Sequence, residues 1–173
     1  LDFNLGFYQH FENIEPVPAG RKLGAPAHDQ RGRYRLSGPI SAPGGIGAVD
    51  DFRYLKSIAR TDVKACLPGP FTLSGRIIPN DDYPDRLAVT EALIPIVRGE
   101  CETLIAEGAD FLQIDEPSFS VYPERIGEYV DIFNRTVEGL DAKIATHLCF
   151  GNYRARAVGR RRYGPLFPKA MDM

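Results

Sequence analysis

Short apolar runs alternate with longer stretches of helical periodicity over most of this chain. Val63-Lys64-Ala65-Cys66-Leu67 is a compact run closed by Pro68-Gly69-Pro70 and predicts a strand. Pro70 suits the first turn of a short helix behind it. Asp85 to Gly108 predicts a long helix, with Val89, Leu93, Val97, Cys101 and Leu104 on a shared face. Pro95 predicts a kink or a split in that helix, and Gly108 its stop. A second buried strand is expected over Asp110 to Ile114, running into Asp115-Glu116-Pro117. Pro123 to Glu138 is again helical, with Ile126, Tyr129, Val130 and Phe133 facing inward, and Ala142 to Cys149 is a third strand before a loop at Gly151-Asn152.

The flanks are less regular. The stretch up to about Gln30 gives no clean period and reads as irregular. Arg33 to Leu36 predicts a short strand that ends at the Gly/Pro-rich segment Ser37 to Gly47. Val49 to Ala59 predicts a helix with Phe52, Leu55 and Ile58 on one face. Leu166 to Met173 reads as a helix cut off before its next strand. The repeated order of strand and helix predicts parallel strands joined by right-handed crossovers. That leaves an α/β protein of one of two kinds, a doubly wound sheet or a (β/α)8 TIM barrel. A barrel takes roughly 250 residues, so a barrel in these 173 residues is an incomplete one.

Composition narrows the functional classes. With 43% apolar and 25% charged residues the chain is an ordinary globular one, large enough for a real core. A formal net charge of -2 gives no general reason to expect nucleic acid or an acidic membrane surface. No apolar run is long enough to cross a bilayer. The start, Leu1-Asp2-Phe3-Asn4, carries neither a basic leader nor an apolar signal core. Cys66, Cys101 and Cys149 are odd in number and widely spaced, which is not a disulfide framework and points to a reducing cytoplasm.

Three strand ends carry candidate chemistry. His147-Leu148-Cys149 closes a predicted strand, where alternation puts His147 and Cys149 on one face. Imidazole and thiolate are preferred zinc ligands, although taken alone such a pair is more often a buried His and a buried Cys that merely pack. Gln113 and Asp115 share a face of the preceding strand. A carboxylate emerging there suits a substrate ammonium group or a metal ligand's partner, and equally a helix cap or salt bridge. Leu67-Pro68-Gly69-Pro70-Phe71-Thr72 leads from a strand end into a helix start, whose N–H groups hold an anion in some proteins and form only a turn in most. Pro43-Gly44-Gly45-Ile46-Gly47 is too short and wrongly placed for a dinucleotide fingerprint. Arg154, Arg156, Arg160, Arg161 and Arg162 form a basic cluster that reads as a solvated face or an attractor for a polyanionic donor tail. His10 and His28 have no visible partner, and Cys66 and Cys101 read as core residues.

Leu67 to Thr72, Gln113-Ile114-Asp115-Glu116-Pro117 and Thr146-His147-Leu148-Cys149, in this order, resemble the catalytic barrel of the cobalamin-independent methionine synthase family. The resemblance covers about Val63 to Gly151 well. It implies one TIM-barrel catalytic domain over residues 1–173, truncated before its last strands. It implies His147 and Cys149 as ligands of a catalytic zinc, with the family's other two protein ligands, a Glu and a Cys, on strands beyond Met173. It implies Asp115 as the catalytic-site carboxylate that contacts the amino group of homocysteine, with Gln113 and Glu116 beside it in substrate binding. The implied reaction transfers a methyl group to homocysteine, forming methionine, from 5-methyltetrahydrofolate or a corrinoid carrier.

Zinc serves that chemistry because an aliphatic thiol with a pKa of about 8.5 offers little thiolate at neutral pH. The chain departs from the folate-dependent pattern by having no Trp. The segment after the Gly-Pro-x-Thr motif reads Leu73-Ser74-Gly75-Arg76-Ile77-Ile78, so the donor stays open. Other zinc-dependent alkyl transfers to a thiol, such as epoxide–thiol transfer, remain alternatives. So does a metal-free barrel resembling uroporphyrinogen decarboxylase. The 173 residues alone are expected to show neither tight zinc binding nor turnover.

Overall fold

The computed structural model describes residues 5–18, 32–150, 157 and 159–173. Its elements in chain order are α1 (Leu5–Tyr8), β1 (Glu12–Val17), β2 (Arg33–Ser41), α2 (Ala48–Ile58), β3 (Ala65–Pro68) and α3 (Pro70–Ser74), followed by β4 (Ile77–Ile78), α4 (Arg86–Ala106), β5 (Phe111–Asp115), α5 (Ile126–Val137) and β6 (Lys143–His147). The described strands form two three-stranded sheets, ordered β1-β2-β4 and β3-β5-β6, and not a closed barrel. The second sheet is parallel throughout, as the alternation of strands and helices predicts. The first contains the antiparallel pair β1–β2, which the prediction of parallel strands does not cover.

The long helix follows its sequence closely. Val89, Leu93, Val97, Cys101 and Leu104 are all fully buried. Asp85 caps its start by accepting from the Ala88 N–H at 2.8 Å. Gly108, at φ 88°, ends it. There the Ala109 N–H reaches the Leu104 carbonyl at 2.9 Å and the Gly108 N–H the Ile105 carbonyl at 2.8 Å, the paired bonds of a left-handed C-terminal cap. The expected split at Pro95 does not occur: α4 runs 21 residues through it. Pro95 sits on the exposed side, where a carbonyl left without its N–H partner turns to water.

Four other expectations need correction. Glu12–Val17 is a strand within the stretch read as irregular. It is an exposed edge strand containing Pro16, so it lacks the apolar alternation that marks a buried one. The rest of that stretch, residues 1–4 and 19–31 with His28, lies outside the described residues. β2 continues past Leu36 to Ser41, through Gly38 and Pro39. In α2 the buried residues are Ala48, Val49 and Phe52, while Leu55 and Ile58 are exposed, because only the first half of the helix meets the core. The C-terminus is not an α-helix but two 3-10 turns, Gly164–Leu166 and Lys169–Asp172, interrupted by Pro168. A further 3-10 turn, Pro123–Arg125, precedes α5, whose Tyr129, Val130 and Phe133 are buried as expected.

The parallel sheet has two unlike faces. Ala65, Leu67, Leu112 and Ile114 are buried and join α3, α4 and α5 in one apolar cluster. Register pairs Cys66 with Gln113, Gln113 with Ala145, and Asp115 with His147 on the opposite face. That face is polar and open. Cys66, Lys143 and His147 are exposed, and the Phe111 ring lies between the Lys64 and Lys143 ammonium groups at 5.4 and 4.7 Å.

Candidate active site at the ends of three parallel strands

Pro68, Asp115 and His147 are the last residues of β3, β5 and β6 and lie side by side in register. Asp115 is therefore central to the carboxyl edge of the sheet, the end at which α/β proteins build their sites. Its side chain is almost wholly buried, yet it faces the half-exposed His147 ring. The Asp115 Oδ1 lies 3.3 Å from His147 Nδ1, an ion pair whenever the imidazole is protonated. The same Oδ1 accepts a 2.7 Å hydrogen bond from Gln113 Nε2, two residues back on the same face. Gln113 Oε1 in turn accepts from the Lys64 ammonium group. Asp115 Oδ2 has no partner among the described residues. Burial and the Asp115 charge both push the thiol of neighbouring Cys66 upward, away from thiolate.

Thr146 and Cys149 complete the third motif. The Thr146 hydroxyl donates to the Ile114 carbonyl at 3.0 Å, tying β6 to β5 one residue before the Asp115–His147 pair. β6 stops at His147, so Cys149 stands two residues beyond the strand and is half-buried. Strand alternation consequently does not govern how His147 and Cys149 relate. Of the two cysteines assigned to the core, Cys101 is buried, its thiol pushed up to about 12 by burial. Cys66 is exposed on the open sheet face.

Glu116, expected beside Asp115 in substrate binding, turns inward. It is 1% exposed, its Oε1 accepts from the Phe71 N–H at 2.9 Å, and its Oε2 accepts from the Thr72 hydroxyl at 2.7 Å. Burial pushes its carboxyl up to about 8. Gly69 makes room for it, since a Cβ there would stand 2.1 Å from Oε1. The Gly69 N–H also donates to the Asp115 carbonyl at 3.0 Å. The anion-holding N–H groups of the Gly-Pro-Phe-Thr turn are thus occupied from within by the residue that follows Asp115.

The glycine-rich segment before α2 uses the same device, which the sequence did not signal. Glu100 of α4 is buried and accepts from the Ile46 N–H at 2.8 Å and the Val49 N–H at 3.0 Å. Gly45, at φ 81°, has the left-handed backbone the turn requires, and a Cβ there would stand 2.3 Å from the Glu100 carboxylate. These donors serve the protein's own carboxylate and not a phosphate. Of the basic cluster, Arg154 and Arg156 lie outside the described residues, while Arg160 to Arg162 are exposed.

Zinc fits the donors present in part. His147 and Cys149 are the donor types zinc prefers, and Asp115 beside His147 Nδ1 is the carboxylate that commonly orients a zinc-binding imidazole. Among the described residues no three His, Cys, Asp or Glu side chains gather closely enough to hold a metal alone. The described residues therefore bring together fewer donors than a zinc site needs.

No family model matches the chain. It is 34% identical over 110 residues to a methionine synthase from Pyrococcus furiosus, a match covering 63% of this chain and 32% of that protein. A methionine synthase from Saccharolobus solfataricus is 32% identical over 106 residues, covering 61% and 32%. The chain thus spans about a third of the length of the curated relatives it matches. In fold it resembles a B12-independent methionine synthase from Shewanella sp. in complex with selenomethionine, with a TM-score of 0.69 and 24% identity over 86% of this chain and 43% of that one. A putative B12-independent enzyme from Listeria monocytogenes gives a TM-score of 0.58 at 20% identity.

Proposed function

We propose that this chain, similar in sequence to methionine synthases and in fold to a B12-independent one, forms part of a TIM-barrel thiol methyltransferase acting on homocysteine. The observation that carries the reading is the Asp115–His147 pair, which joins the residues of two family motifs at adjacent strand ends.

Asp115 binds the substrate ammonium group through Oδ2, and Gln113, donating to Oδ1, holds the carboxylate in that orientation. Lys64 restrains Gln113 from the far side. Because Asp115 is almost wholly buried, its charge acts with little screening on a cation brought to it. His147 and Cys149 are the two residues that would hold zinc, with Asp115 steadying the imidazole from Nδ1. Zinc, when bound, supplies the Lewis acidity that keeps a substrate thiol ionised at neutral pH. Glu116 acts from behind, fixing the turn after β3 against the end of β5, so that Asp115 is set by backbone on both sides. The donor is a methyl carrier, folate or corrinoid; without Trp, pterin stacking would fall to another aromatic group.

Homocysteine and its desamino analogue 4-mercaptobutyrate distinguish the ammonium contact from general thiol binding. In the zinc-loaded protein, Asp115→Asn is expected to weaken homocysteine at least tenfold more than the analogue, about 1.4 kcal/mol, the loss common to both thiols reporting the steadying of His147. Gln113→Leu is expected to act in the same direction and less strongly. Equal losses for both thiols would remove Asp115 from substrate recognition.

A further inference from the structure

A cleft of about 440 Å³ opens between the 3-10 turns Pro117–Ser120 and Pro123–Arg125 after β5 and the segment after β6, lined by Ser120, Val121, Pro123, Glu124, Arg160 and Arg162 among others. Its size falls in the range of small-molecule sites. Gly159 seats the C-terminal segment directly on the Ser120–Val121 backbone, since a Cβ there would stand 3.1 Å from Val121 Cα and 3.3 Å from the Ser120 carbonyl. The Gly159 N–H donates to the Phe150 carbonyl at 2.8 Å, and the Tyr163 hydroxyl donates to the Leu148 carbonyl at 3.2 Å. The wall is therefore tied to the chain leaving β6.

Its polar groups are unspent. The Arg162 N–H donates to the Arg160 carbonyl at 2.8 Å, a tight turn in which both arginines line the cleft and Arg161 does not. Neither guanidinium has an ion-pair or hydrogen-bond partner among the described residues. Ser120 is 3% exposed, and its hydroxyl has no hydrogen-bond partner. Val121 and Pro123 add an apolar wall, and Glu124 is the acid in the lining.

We propose that this cleft binds a small organic anion, a carboxylate or phosphate on an apolar body, held by Arg160 and Arg162 with Ser120 at the wall. Guanidinium forks match both oxyanions with paired hydrogen bonds. Bound there, the oxyanion lies against the two arginines while its apolar part covers Val121 and Pro123. The site is independent of the methyl-transfer reading, since it uses none of Asp115, His147 and Cys149.

Butyl phosphate and pentanoate, with pentanol as uncharged control, are titrated against the folded protein by ligand-observed NMR. Saturable binding of at least one anion and none of pentanol is expected, and the tighter anion identifies the headgroup. Arg160→Gln and Arg162→Gln are each expected to weaken it at least fivefold, and Arg161→Gln to leave it unchanged. Glu124→Gln is expected to tighten it, whereas Asp82→Asn, an equal charge change elsewhere, leaves it unchanged. No saturation by either anion would overturn the proposal. So would an Arg161→Gln loss equal to the other two, which would mean a diffuse basic surface.

Discussion

Glu116 and Thr72, 44 residues apart in sequence, are joined by a 2.7 Å hydrogen bond in which the buried Thr72 hydroxyl donates to the carboxyl group. With the Phe71 N–H on the other oxygen, this one side chain closes the start of α3 from the residue just past the end of β5. It links the Gly-Pro-x-Thr motif to the Asp-Glu-Pro motif.

Removing that link exposes its worth. Glu116→Ala leaves the Phe71 N–H and Thr72 hydroxyl buried without partners, at about 1–3 kcal/mol each by the usual cost of an orphaned group. Gly69→Ala forces a methyl group onto the same carboxyl and is expected to destabilise comparably. The two losses should be far from additive, because Glu116→Ala removes the atom that the new Cβ strikes. A double-mutant cycle by urea unfolding reads this directly; additive losses would place the strain at Gly69 elsewhere.

The same carboxyl makes stability depend on pH. Unfolded, it titrates near its ordinary value of 4.5; folded, burial raises it to about 8. The folded protein favours the neutral acid, so the contribution is complete below 4.5 and is lost as pH rises through about 8. The stability of the parent relative to Glu116→Gln, which stays neutral, is expected to fall between those limits and level off above them. Urea midpoints for both proteins across this range test it, and parallel curves would contradict it.

Glu100 makes a parallel case. Glu100→Ala strands the Ile46 and Val49 N–H groups in the interior, and a loss of about 2 kcal/mol or more is expected. A lower urea midpoint at unchanged slope is the expected signature. A change under 0.5 kcal/mol would mean that water or a rearranged turn replaces the carboxylate.

What the sequence discloses follows from how local each cause is. The α4 face was legible because five apolar residues at helical spacing meet one core, and the cap residues Asp85 and Gly108 act within a turn of the helix. The ends of β3 and β5 were legible for the same reason, each being a short apolar run closed by its own motif, whereas β6 stops at His147, two residues short of the expected end at Cys149. The inward role of Glu116 was not, because it depends on a bond between residues 44 positions apart. Nothing in Asp-Glu-Pro says which carboxylate turns in and which stays at the edge. Leu55 and Ile58 show the reverse failure: helical spacing describes a stripe, but tertiary packing decides how much of it is covered. The C-terminal turns depart from the expected helix because Pro165 and Pro168 each lack an N–H to donate and break the run.

The central claim is that His147 and Cys149 are zinc donors beside the Asp115 carboxylate. It is tested most directly by zinc affinity, measured by competition with a chromophoric chelator. The parent should bind one zinc weakly. Cys149→Ser and His147→Ala should each lose at least tenfold in affinity, while Cys66→Ser keeps it. Zinc binding indifferent to both Cys149→Ser and His147→Ala would return the two residues to packing and contradict the account.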